Sequence, residues 1–158
     1  MTARTVVIGI GNSMRGDDAA GVAVANRLRP RVPAGVAVVA CDEEPSRLME
    51  AWEGADSVVL VDTVSSGATP GTLHRFDAGE EPLPARAFRS STHAIGIGET
   101  IELARALGRL PRRVRIYGVE AGGFETGASL TPEVEAAVAF LVRDVLADLE
   151  EERCTSAP

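Results

Sequence analysis

A chain of 158 residues with 45% hydrophobic and 25% charged residues is long enough for one compact domain with a sizeable core. Its formal charge is −7, from 23 acidic and 16 basic residues with the bases scattered, which excludes the concentrated basic face of a nucleic-acid binder. All 16 bases are arginine and the only histidines are His74 and His93, which excludes a Walker-type phosphate loop, a Schiff-base lysine, a Ser-Lys dyad and an H-E-x-x-H zinc motif.

Thr5–Ile10 (TVVIGI) is an unbroken apolar run, the pattern of a strand buried on both faces. A loop through Gly11 and Asn12 follows, and Ala20, Val24 and Leu28, at i, i+4 and i+8, predict a helix from Asp17 or Asp18 to Leu28. Residues 36–40 read as a second strand and residues 45–53 as a short helix opened by Pro45. Ser57–Val64 (SVVLVDTV) is a third strand, the most apolar apart from Asp62. After a turn-rich stretch, residues 72–76 alternate as an edge or antiparallel strand, and the polar, proline-containing residues 77–91 read as a surface loop. A helix is predicted over 93–107, with Gly108 at C′ and Pro111 beyond, then a strand over 114–119. The last helix has Thr131 at the N-cap, Pro132 at N1, Glu133 and Glu135 in the first turn, and a core stripe of Val134, Val138, Leu141, Val142, Val145 and Leu149. Residues 150–158 are expected to fray, so the domain is read as 1–150 and the tail as 151–158. The alternation predicts a single three-layer α/β/α domain, with a mostly parallel sheet of about five strands and helices on both faces.

In such folds ligands gather outside the carboxyl ends of the strands. That edge carries Asn12, Asp17 and Asp18 after the first strand, Cys41, Asp42, Glu43 and Glu44 after the second, Asp62 at the end of the third, and His93 at a helix start. Asp62 is the most informative of these, because a lone carboxylate in an apolar strand is costly unless it is paired, bound to a cation or caps a neighbouring loop. Asp18 is also accounted for by capping and the helix dipole. His93 at a helix start is kept neutral by the dipole and so is available as a ligand. Two carboxylates and one imidazole make a three-ligand site with open positions, suited to a divalent metal such as nickel, zinc or manganese. His74 reads as a surface strand residue, and Cys41 as a small packing residue rather than a nucleophile. Two cysteines are too few for a disulfide framework, and the run Val6 to Ile10 is too short for a signal h-region or a membrane span. A cytoplasmic protein without membrane partners is expected.

The run Gly9-Ile10-Gly11-Asn12-Ser13-Met14-Arg15-Gly16-Asp17-Asp18, the strand 58–62 and the segment Ser91-Thr92-His93 resemble the nickel–iron hydrogenase maturation endopeptidases. Tyr117-Gly118-Val119-Glu120 and Leu130-Thr131-Pro132-Glu133-Val134 resemble the same family, in order and over nearly the whole chain. The resemblance implies a cytoplasmic protease that cuts a C-terminal extension from the precursor of a hydrogenase large subunit once nickel has been inserted. It implies Asp18, Asp62 and His93 as the nickel-contacting residues, with the nickel carried by the substrate and its shell completed by precursor cysteines. Two routes to bond breaking are open: nickel polarises the scissile carbonyl or activates a water, or Asp17 or Asp18 acts as general base while the metal positions the substrate. The chain departs from the family pattern in having Ala19-Ala20 before Gly21, and Asp42-Glu43-Glu44-Pro45 where some members carry a Gly-Thr-x-Gly segment.

Other readings fare worse. A dinucleotide-binding oxidoreductase would need glycine where Met14 stands, and no G-x-S-x-G elbow supports a serine hydrolase. A non-proteolytic nickel-binding maturation chaperone would share the ligand set, and it is the alternative.

Overall fold

The apolar run Thr5–Ile10 forms β1, and all six of its residues are buried, as a strand covered on both faces requires. The computed structural model describes residues 4–12, 16–78, 96–123 and 129–156. Within them β1 lies between β2 (Val36–Cys41) and β3 (Ser57–Val64), parallel to both. An edge strand, β4 (Leu73–Asp77), runs antiparallel to β5 (Arg113–Glu120), which in turn lies parallel to β3. The order is β2-β1-β3-β5-β4. The chain therefore leaves β1 toward one edge and returns through β3 toward the other, which opens a crevice between the carboxyl ends of β1 and β3.

Helix α1 (Ala20–Leu28) and helix α4 (Pro132–Ser156) cover one face, where Ala20, Val24, Val138 and Leu141 pack on Val7, Val59 and Val61. Helices α2 (Pro45–Ala51) and α3 (Ile97–Ala106) cover the other, where Leu48, Ile97 and Ile101 pack on Ile8, Leu60 and Ile116. Each such fully buried aliphatic side chain contributes about 1.5–3 kcal/mol. Trp52, just after α2, is buried in the second layer and donates its indole N–H to the Arg109 carbonyl at 2.9 Å. The three-layer α/β architecture is the one the sequence predicts.

Helix α1 lies closer to the sheet than side chains would permit. A Cβ on Gly21 would meet the carbonyl oxygens of Ile10 at 2.3 Å and Val61 at 2.5 Å. This backbone contact seats the preceding 3-10 turn, Gly16–Ala19, beside the crevice between β1 and β3.

Several boundaries differ from expectation. The acidic pair Asp17-Asp18 lies in that 3-10 turn, and α1 begins only at Ala20. Helix α3 opens at Ile97, with Gly96 as its N-cap, rather than at residue 93. Most of the expected loop 77–91 lies outside the described residues, although Asp77 belongs to β4. The acid-rich segment expected to fray continues α4 to Ser156. Remote arginines meet it there: Glu152 pairs with Arg115 at 2.9 Å and with Arg113 at 3.7 Å. Among the described residues no helix is long and apolar enough to cross a membrane.

Candidate active site

Three acidic side chains converge beyond the carboxyl ends of β1, β2 and β3. The loop after β1 holds Asp18: the Asn12 N–H donates to the Asp18 carbonyl at 3.1 Å and to Oδ2 at 3.2 Å. That closure needs Gly11, with φ at +149°, because a Cβ there would lie 1.9 Å from the Asp18 carbonyl oxygen. The Thr63 hydroxyl donates to Asp18 Oδ1 at 3.3 Å, which ties the turn to β3. Asp62 precedes that threonine and accepts its N–H at 2.8 Å. Glu43 completes the group from the loop after β2. Ligand oxygens from Asp18, Glu43 and Asp62 all lie within 4.8 Å of one another, and the residues are 2%, 5% and 1% exposed.

Crowding three carboxylates in a buried place has an electrostatic cost. Burial pushes the Asp62 carboxyl well above its ordinary pKa, the charges of Glu43 and Asp18 push it further, and the Thr63 N–H opposes them. No ion pair among the described residues ends on Asp18 or Asp62. A divalent cation would relieve the repulsion, and three oxygen donors with open positions suit one.

The structure separates the two candidates for general base. Asp17 is buried, and its carboxylate is turned to the segment after β5, where it accepts the N–H groups of Gly122 at 2.6 Å, Gly123 at 2.9 Å and Thr131 at 2.8 Å. The Thr131 hydroxyl adds a bond at 2.9 Å, and the Asp17 N–H returns one to the Gly123 carbonyl at 2.8 Å. Such a carboxylate braces the turn against the start of α4. Asp18 alone of the pair belongs to the cluster. His93, the expected imidazole ligand, lies outside the described residues.

Glu43 is the member of the cluster that sequence reasoning passed over among four polar positions after β2. A signal was present, because each of its acidic neighbours has a local task. Glu44 caps α2, accepting from the N–H groups of Ser46 at 3.3 Å and Arg47 at 3.2 Å. Asp42 pairs with Arg47 at 2.7 Å. Alternation from β2 then points Glu43 to the face of the sheet that Val39 and Cys41 share. Burial, followed by Asp42 and Asp62, pushes the Cys41 thiol up to about 11, and the half-buried side chain packs on the core. This accords with the packing role read from the sequence. His74, read as a surface strand residue, is instead half-buried, with Nε2 lying 3.2 Å from the buried Glu120 carboxylate.

Fold and candidate site together define an α/β protein with a buried cluster of three carboxylates at the crossover of a parallel sheet. The HycI family model, described as hydrogenase maturation protease, matches residues 22–148. Hydrogenase 2 maturation protease of Escherichia coli is 28% identical, over 98% of this chain and 96% of its own. The hydrogenase expression/formation protein HoxM of Azotobacter vinelandii is 32% identical over the whole of this chain and 84% of its own. In three dimensions the E. coli hydrogenase maturating endopeptidase HybD superposes with a TM-score of 0.81 at 27% identity, covering 94% of this chain and 93% of that one. The nickel–iron hydrogenase maturation protease HycI of Thermococcus kodakarensis gives 0.73 at 26% identity, over 94% and 93%. The chain belongs to the hydrogenase maturation protease family and is a peptidase.

Proposed function

We propose that this peptidase removes the C-terminal extension of a nickel-loaded hydrogenase large-subunit precursor in the cytoplasm, recognising the substrate-bound nickel through Asp18, Asp62 and His93. Glu43 joins them as a third carboxylate. The observation that carries this reading is the convergence of three buried carboxylates within 4.8 Å at the crossover of the sheet. A group so crowded has little to gain from an empty state and much from a cation delivered by a partner.

Nickel is here part of the substrate, and the protease residues contribute oxygen and imidazole donors to a shell that the precursor fills in part. Holding the metal fixes the adjoining chain, so the scissile bond is presented in one pose and docking depends on metal insertion. Asp17, saturated by backbone donors, serves as a brace. Asp18 is the carboxylate placed to act at the metal or on a water beside it.

Incubation of the purified protein with nickel-loaded and nickel-free precursor, followed by intact mass measurement, tests the reading. A shortened product from the loaded form alone is expected, and His93→Ala should abolish it. Binding without shortening would favour a non-proteolytic maturation chaperone and overturn the proposal.

A further inference from the structure

Glu120, the last residue of β5, is a buried carboxylate that the cluster above does not use. The Ser66 N–H donates to its Oε2 at 2.8 Å, and both the Ser66 hydroxyl and His74 Nε2 meet its Oε1. The His74 ring stacks on Phe76, with centroids 6.3 Å apart and planes within 8°, and its side chain is 21% exposed. In the tautomer that carries its proton on Nε2 and donates it to the carboxylate, Nδ1 offers a lone pair to a donor from outside.

The strand register places this imidazole relative to the carboxylate cluster. Gly118 of β5 pairs with Asp62 on one side and with His74 on the other. The three residues form one row across the sheet, so Asp62 and His74 project from the same face, that of Leu60, Ile116 and Phe76. Two strand spacings set their Cα atoms on the order of 10 Å apart. The residue between them in the row, Gly118, contributes no side chain of its own.

We propose that the Glu120–His74 pair is a second recognition element of the substrate cleft, taking a hydrogen-bond donor from the precursor chain beside its metal-bound segment. The proposal rests on the reading that a metal-loaded precursor is the substrate. The donor it fits best is the N–H of a cationic side chain, because the acceptor is backed by the buried Glu120 carboxylate and the acidic groups Asp18 and Glu43 lie along the same edge of the sheet. Glu120 orients the imidazole, Ser66 orients Glu120, and only His74 touches the substrate.

Two variants separate the hydrogen bond from packing. His74→Phe keeps a ring on Phe76 and has no nitrogen, whereas His74→Gln retains a donor for Glu120 and an acceptor facing outward. In cleavage of nickel-loaded precursor, His74→Phe is expected to raise KM about tenfold with kcat within about twofold, and His74→Gln to recover most of the loss. Precursor affinity, measured without cleavage by biolayer interferometry, should weaken equally for the loaded and nickel-free forms, because this element does not read the metal. Unchanged KM and affinity in His74→Phe, a fall in kcat alone, or a loss confined to the loaded form would each overturn the proposal. A wild-type protein that binds but does not cut the precursor counts against the protease reading instead, and the affinity series still decides the role of His74.

Discussion

Asp62 sits where ionisation is unfavourable: burial raises its pKa, and Glu43 and Asp18 raise it further. Its folded pKa lies above its unfolded one. Its contribution to stability is therefore fully present below the ordinary carboxylate pKa and is lost as pH rises through the raised value. Asp62→Asn removes the charge and keeps the volume. The variant is expected to be more stable than the wild type by about 1–3 kcal/mol at mildly alkaline pH, with the difference shrinking in mild acid. Thermal unfolding across that range checks this, and a destabilised variant at every pH would contradict it. Asp17→Asn should behave in the opposite way. An amide offers one acceptor oxygen where three backbone N–H groups and a hydroxyl now converge, and its NH2 would face donors. A loss on the order of 2–4 kcal/mol is expected in urea denaturation, whereas a base with no bracing role would leave stability unchanged and lower kcat alone. Asp62 was legible in the sequence because a carboxylate inside SVVLVDTV violates the pattern of a buried strand. The division of labour between Asp17 and Asp18 was not, because the donors that claim Asp17 lie more than 100 residues away.

At the scale of elements, the position of Asp18 depends on how closely α1 approaches the sheet. Gly21→Ala would drive a methyl into the Ile10 and Val61 carbonyls, and relief requires α1 and its preceding turn to move outward. A loss of about 1–3 kcal/mol or more is expected, together with weakened precursor cleavage although no site residue has changed. Retained stability and activity would show that the close contact is dispensable. Apolar periodicity exposed the strands and helices well, since β1 and β3 are unbroken buried runs and α4 carries a regular stripe. Ends were harder to read. The acid-rich last turns of α4 look like a solvated tail until Arg113 and Arg115 of β5 are placed beside Glu152. The start of α3 lacks a polar side-chain cap, because Gly96 occupies that position.

For the whole molecule, topology brings chemistry together that the sequence keeps apart. The order β2-β1-β3-β5-β4 sets the carboxyl ends of β1, β2 and β3 side by side, so residues at 18, 43 and 62 become neighbours. The fold class and the edge that carries the site follow from strand–helix alternation and a general rule for parallel sheets. Which carboxylates on that edge meet was not legible, because loop geometry decides it: Glu43 enters the cluster while Asp42 and Glu44 serve α2. The central claim is that this cluster reads a metal carried by the substrate. The most direct measurement is the ratio of affinities for nickel-loaded over nickel-free precursor, by calorimetry, in the wild type, Asp62→Asn and Glu43→Gln. Residues behind metal ligands are worth about 10–100-fold in metal affinity, so each substitution should cut that ratio by roughly tenfold or more while affinity for the nickel-free form holds. A ratio unchanged in both variants would contradict the account.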